Sequence, residues 1–196
     1  MAVRPSAGDR CQLRGRFAFR ASFRDMGEIT DSYELSIFVP SQFPRCLPQV
    51  IETGNRIPKN ANYHVNPNNN TLCLGSPIRL MLKLSQKPTL PGFAELCLTP
   101  YLFAMSHKLR VGGRFPFDEL QHGTKGILID YADLFGLKTP EQARYALQLL
   151  GMKKRRANKQ PCPCVCGKRL GRCKLNAWLR QFRQIASRSW FRTSAS

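Results

Sequence analysis

Apolar and polar positions alternate with a period of two early in the chain. Phe17, Phe19, Ala21 and Phe23 are interleaved with Ala18, Arg20, Ser22 and Arg24. That spacing puts the aromatic residues on one face of a strand. Asp25-Met26-Gly27-Glu28 reads as a turn, and Tyr33, Leu35 and Ile37 continue the period in a second strand that Pro40 ends. Val50 to Thr53 predicts a third, short strand before Gly54. Short connections between successive strands predict an antiparallel meander. No helix is evident in residues 1–12.

Later the period changes. Residues 91–105 are apolar and helix-like, with Pro100 expected to kink or interrupt them because proline removes a backbone donor. Residues 118–135 predict two helical pieces separated near Gly123 and Gly126. Thr139-Pro140-Glu141 supplies a capping hydroxyl, a proline at the first helical position and an acid in the first turn. The helix it starts has Ala143, Ala146, Leu147 and Leu150 on one face and runs into Lys153-Lys154-Arg155-Arg156, cations suited to a C-terminal end. Finally, Leu175, Trp178, Leu179, Phe182, Ile185 and Ala186 recur at three and four residues, with Arg180, Arg183 and Arg188 off that face. This predicts a basic amphipathic helix packed on the rest of the protein, with its charged face in solvent. Strands followed by helices place the chain in the α+β class.

Length and charge refine this picture. A chain of 196 residues suits one domain plus an appendage. It has no apolar run of the ~18 residues that a membrane helix needs, and its first ten residues contain no apolar signal core, so a cytoplasmic location is expected. In that compartment eight cysteines point to metal binding or catalysis rather than to disulfides. The net charge of +19 is uneven. Residues 151–196 hold thirteen Lys/Arg and no Asp or Glu, whereas residues 1–150 hold eighteen against twelve. Such a tail suits an acidic partner and leaves nucleic acid open as a ligand.

The candidate chemistry begins with His64-Val65-Asn66-Pro67-Asn68-Asn69-Asn70-Thr71-Leu72-Cys73-Leu74-Gly75. Its proline and asparagines make a turn-rich loop, since asparagine side chains bond back to nearby backbone. A thiol on such a loop can serve as a nucleophile; a free cysteine is otherwise a small core hydrophobe. Upstream stand Phe38-Val39-Pro40, Phe43-Pro44 and Pro48-Gln49-Val50. Taken in order with the His64/Asn66 loop and Cys73, these motifs resemble the ubiquitin-conjugating enzymes, over roughly residues 13–107. The closest match is the prokaryotic branch found beside cyclic-oligonucleotide anti-phage (CBASS) systems. In that family a His-Pro-Asn loop precedes the catalytic cysteine by some eight residues. Here Val65 replaces the proline, and Asn66 stands seven residues before Cys73.

The resemblance implies an α+β, ubiquitin-conjugating-enzyme-like meander packed with helices, with the segment from Pro88 to Pro100 as the helix after the active site; the family usually begins with a helix, and none is evident in residues 1–12. It implies that Cys73 carries an acyl group as a thioester, that Asn66 holds the loop or stabilises the oxyanion, and that His64 braces the loop. The carried group would be the C-terminus of a cGAS-like nucleotidyltransferase or of a ubiquitin-like protein. A separate activating enzyme is expected, because no glycine-rich nucleotide loop occurs in the sequence. Asp118, Glu119, His107 and His122 match no transferable role, and Cys11, Cys46 and Cys97 read as core or surface residues.

A second cluster, Cys162-Pro163-Cys164-Val165-Cys166-Gly167, continues to Cys173-Lys174. Four thiols in so short a span suit tetrahedral Zn²⁺, with Gly167 and Gly171 letting the loop fold back. The segment resembles the SEC-C zinc motif at Cys162, Cys164 and Cys173. Lys174 stands where the fourth ligand should be, so Cys166 is expected to replace it. The expected organisation is a conjugating-enzyme-like domain over 1–136, a helix and basic linker over 137–160, and the zinc motif with its basic amphipathic tail over 161–196. Two rival functions remain: a zinc-containing nucleic-acid-binding adaptor, and a thiol hydrolase using Cys73 and His64.

Overall fold

The alternating strands pair as their pattern predicts. In the computed structural model, which describes residues 1–5, 10–23, 26–113, 115–116 and 123–195, β2 (Arg10–Ser22) runs antiparallel to β3 (Glu28–Pro40). Phe17 lies opposite Tyr33, and Leu13 opposite Ile37. β4 (Gln49–Glu52) adds to β3 with Val50 opposite Ile37. A strand with no sequence counterpart, β1 (Ala2–Pro5), pairs with the other edge of β2, so the sheet order is β1-β2-β3-β4. The protein is therefore α+β with an antiparallel meander sheet. Arg24 of the first predicted strand and Asp25 of the predicted turn, together with Asp118, Glu119 and His122, lie outside the described residues.

The chain divides into two compact units, Met1–Glu119 and Leu120–Ser196. In the first, Phe19, Ile29, Tyr33, Leu35, Ile37 and Val39 point from one sheet face into a core completed by Phe93, Leu98, Leu102, Phe103 and Met105. The helical half of that core begins with α1 (Pro77–Gln86), which buries Ile78, Leu80, Met81 and Leu84. α2 (Leu90–Phe93) follows, opened by Thr89, whose side chain accepts from the Gly92 N–H. It runs without a break through a π-helical turn (Ala94–Leu98) into α3 (Thr99–Val111). Pro100 therefore does not interrupt the helix. The chain widens for one turn just before it, where the Thr99 N–H reaches back to the Ala94 carbonyl. A wider turn relieves the clash a proline ring makes with the carbonyl four residues earlier.

Polar bonds join β3 to α3. Asp31 takes Arg56 as a two-pronged partner at 2.9 and 3.1 Å and accepts the Ser106 hydroxyl at 2.7 Å. Ser106 Oγ in turn lies 2.8 Å from the Tyr33 hydroxyl. Burial raises the Asp31 carboxyl, but the bonds from Arg56, Ser106 and the Ser32 N–H outweigh it and hold it at about 2 instead of 3.8.

The second unit consists of short helices. α4 (Gly123–Phe135) passes through Gly126 without interruption, while residues 118–122, which hold the first predicted piece, lie outside the described residues. α5 (Pro140–Gly151) starts as its sequence predicts, with Thr139 Oγ1 accepting from the Gln142 N–H at 3.3 Å and with Ala143, Ala146, Leu147 and Leu150 buried. It stops at Gly151 rather than running into the lysines and arginines, which fall at and within α6 (Lys154–Ala157). The last carbonyls of α5 are met by Arg183 of α7 (Leu175–Ile185). Its guanidinium donates to Leu149, Leu150 and Met152 at 2.7, 2.8 and 3.0 Å. α7 buries Leu179 and Phe182, the latter edge-on to Phe135 at 4.9 Å. Its amphipathic face is thus a core face, as the apolar stripe implies. After Ala186 a further helix, α8 (Arg188–Ala195), buries Phe191. Among the described residues no helix is long and apolar enough to cross a membrane.

Candidate active site and candidate metal centre

The stretch from Asn60 to Cys73 folds as a capped turn followed by a tight hairpin. Asn60 Oδ1 accepts the Asn62 N–H at 3.0 Å and opens a 3-10 turn over Ala61–Tyr63. His64 takes a left-handed conformation at φ 50, closing that turn. Val65 then pairs with Leu72, the Asn66 N–H bonds the Thr71 carbonyl at 2.9 Å, and the Cys73 N–H bonds the His64 carbonyl at 2.7 Å. Asn69 caps the hairpin from within, accepting from both the Thr71 N–H and hydroxyl at 3.1 and 2.7 Å. The returning arm lies along β4, with the Leu72 N–H donating to the Val50 carbonyl at 2.8 Å. The asparagine-rich sequence makes this turn because asparagine tolerates left-handed backbone, as Asn70 does at φ 57, and satisfies neighbouring amides.

The hairpin brings the predicted site residues together as one local structure. Leu72 is buried and Cys73, one residue on, is exposed. Asn66 is exposed as well, and its Nδ2 donates to Thr71 Oγ1 at 2.8 Å. That bond engages one amide hydrogen and leaves a second donor direction on the same group. The half-buried His64 imidazole packs edge-on against Phe115 at 4.6 Å.

Two residues not singled out by sequence hold the loop from α3. Tyr101, 6% exposed, donates its hydroxyl to the Tyr63 carbonyl at 2.9 Å. Burial, and then the nearness of Cys73, push the Tyr101 hydroxyl well above its ordinary pKa, so it stays a donor. Lys108 donates to the Asn62 carbonyl at 2.7 Å with its ammonium over the Tyr63 and Phe115 rings at 4.9 and 4.7 Å. Both lie far from the loop in sequence, and only the fold connects them. The other thiols of this unit differ from Cys73 in setting. Cys97 is buried in the π-helical turn, where burial pushes its thiol up to about 11, while Cys11 is exposed and Cys46 faces Gln42 Oε1 at 3.3 Å. His107 lies on α3 with a buried Nδ1.

In the second unit the cysteine segment closes into a knuckle. Pro161 bridges Arg169, the Cys162 N–H bonds the Lys168 carbonyl at 2.9 Å, and the Leu170 N–H bonds the Gln160 carbonyl at 2.9 Å. The turn between takes positive φ at Val165 and Gly167. Gly171 is closely packed instead: a Cβ there would stand 3.0 Å from both the Cβ and the carbonyl oxygen of Asn158. Folded so, the sulfurs of Cys162, Cys164, Cys166 and Cys173 all lie within 4.8 Å of one another, with neighbouring pairs at 3.2, 3.6 and 3.7 Å. Ligands about 2.3 Å from a zinc ion stand about 3.8 Å apart at the corners of a tetrahedron. The four thiols could thus hold a metal ion, with Cys166 in the place that Lys174 cannot fill. Their settings differ. Burial, and then the neighbouring sulfurs, push the Cys162 thiol up, while the Lys168 N–H, followed by the sulfurs, holds the exposed Cys166 down at about 7.

No family model, curated protein or solved structure matches this chain.

Proposed function

We propose that the protein is a thioester-forming acyl carrier and transferase with a ubiquitin-conjugating-enzyme-like fold. The observation that carries this reading is the placement of Cys73. It is exposed on a hairpin that also presents Asn66, after an antiparallel meander. The resemblance implies that order, although the helix directly after Cys73 is α1 (Pro77–Gln86) and the segment expected there, Pro88 to Pro100, falls in the next helical stretch. In the proposed reaction, Cys73 Sγ attacks the activated C-terminal carbonyl of a protein supplied by a separate activating enzyme. An S–C bond forms, and the activating group leaves. An amine then attacks the thioester carbonyl, a C–N bond forms, the S–C bond breaks, and the thiolate takes up the proton the amine gives up. Asn66 Nδ2 supports the oxyanion of the second step while its bond to Thr71 keeps the loop in shape.

The carried protein is a cGAS-like nucleotidyltransferase or a ubiquitin-like protein, acting in cytoplasmic anti-phage defence. The metal of the cysteine knuckle is structural zinc, held by Cys162, Cys164, Cys166 and Cys173. Zinc bound by four thiolates has no open position for substrate, so its contribution is to hold the knuckle closed.

Asn66→Ala separates this reading from its rivals. Loading of Cys73 stays near the wild-type level while discharge to the amine falls on the order of a hundredfold, the usual loss for one oxyanion donor. Single-turnover loading and discharge, followed by denaturing gel and mass spectrometry, measure the two steps. Equal loss of both steps would assign Asn66 to folding alone.

A further inference from the structure

A groove of about 550 Å³ lies in the second unit, where the end of α5 meets α6 and α8. It is lined by Lys153, Arg156, Arg188 and Arg192, and among the described residues no carboxylate side chain lines it. The cations come from separate stretches of chain and converge because α8 packs closely on Gly151. A Cβ at that position would lie 2.7 Å from Arg192 Cγ.

This arrangement opposes itself electrostatically. Arg188 and Arg192 stand four residues apart on α8, a spacing at which like charges repel. Arg183 donates to the carbonyls at the end of α5. Lys153, Arg156, Arg188 and Arg192 are all exposed. A concave surface lined by charge of one sign focuses its field on an incoming counter-ion.

We propose that this groove binds the phosphodiester backbone of a nucleic acid. A repeating phosphate chain fits better than a single phosphate, because the cations stand on an open surface and the positive charge continues beyond them. Residues 151–196 hold thirteen Lys/Arg and no acid. An anionic membrane fits less well, since the apolar residues Leu179, Phe182 and Phe191 that α7 and α8 would insert are buried in the core. Binding is through backbone charge, so it is sensitive to salt and indifferent to base sequence.

The test uses the full, metal-loaded chain and a fluorescent single-stranded oligonucleotide. Four phosphate contacts on a single strand predict a loss of about fiftyfold in affinity between about 50 and about 200 mM salt. The triple variant Lys153→Gln/Arg156→Gln/Arg188→Gln, in which only Arg192 remains, reduces that loss to about threefold and weakens binding at low salt. A control of equal charge, Lys125→Gln/Lys138→Gln/Arg180→Gln, changes residues of the same unit outside the groove and keeps most of the salt dependence. Retained metal content and thermal unfolding of each variant confirm that it is folded. Equal losses in the two triple variants would reduce the effect to net charge and overturn the site. So would displacement of the oligonucleotide by tripolyphosphate at matched phosphate concentration, or binding to anionic phosphatidylserine vesicles without binding to the oligonucleotide.

Discussion

The hairpin that carries Cys73 and the knuckle that gathers Cys162, Cys164, Cys166 and Cys173 are both short loops closed by backbone hydrogen bonds, yet they present sulfur in opposite ways. The first displays one exposed thiol on a scaffold that closes without it. Asn60, Asn66 and Asn69 satisfy the turn, β4 takes the returning arm, and Tyr101 and Lys108 hold the far side. The second brings four thiols within 4.8 Å of one another on a turn with positive φ at Val165 and Gly167. Four thiolates so close repel one another unless a cation lies between them. A nucleophile needs a scaffold that does not depend on it, whereas a ligand set needs the ion as part of its scaffold. Under the proposed function, this contrast gives chemistry to the first loop and structure to the second.

Removing metal breaks the comparison most sharply. Chelation should open the knuckle, because structural zinc contributes about 10 kcal/mol or more to folding in small metal sites. The amides of Cys162, Leu170 and Gly171 should lose protection from hydrogen exchange, while Leu35 and Ile37 in β3 keep theirs. A knuckle that stays protected without metal would place the thiols in a self-supporting turn.

A smaller effect is expected at the scaffold of the other loop. Tyr101→Phe removes the 2.9 Å bond to the Tyr63 carbonyl and should cost about 1 kcal/mol, the usual net worth of a neutral hydrogen bond. Urea unfolding gives the cost. Alkylation of Cys73 by iodoacetamide should change in rate, whereas alkylation of Cys11 should not. Unchanged Cys73 reactivity would remove Tyr101 from the site.

The smallest effect concerns acid. Asp31 is held at about 2, below its ordinary 3.8, so its folded form binds a proton less readily than the unfolded chain does. Its contribution to stability is therefore complete above about pH 4 and drains away as pH falls toward about 2. Asp31→Asn should remove that part of the acid dependence in β3 and α3. An unchanged acid profile would mean that the bonds from Arg56 and Ser106 hold the carboxylate no better than water does.

What could be read in the chain beforehand follows the range of the interactions involved. Phe17, Phe19, Tyr33, Leu35 and Ile37 showed β2 and β3 because the pleat makes a period of two visible locally. Thr139-Pro140 showed the start of α5 for the same reason. The four cysteines showed their partnership through spacing alone, although only the folded loop brings Cys166 to the place that Lys174 cannot fill. β1 escaped notice, because Ala2–Pro5 is four residues long and gains its order from pairing with β2. α1 left a signal that could have been read: Ser76-Pro77 followed by Ile78, Met81 and Leu84. Pro100 misled because the cost of proline in a helix was met by a π-helical turn, which depends on packing around Cys97 and Leu98. Tyr101 could not be placed beside Cys73 from the sequence, since that pairing exists only once α3 lies against the loop.

The most direct test of the central claim is the intact mass of the protein recovered from its native cells under denaturing, non-reducing conditions. The account predicts a fraction of the chain carrying one protein adduct that is released by hydroxylamine and by thiol reductants. Cys73→Ser should convert it into an ester resistant to thiols, and Cys73→Ala should abolish it. An adduct of the same mass and thiol sensitivity on the Cys73→Ala variant would contradict the assignment of Cys73 as the carrier.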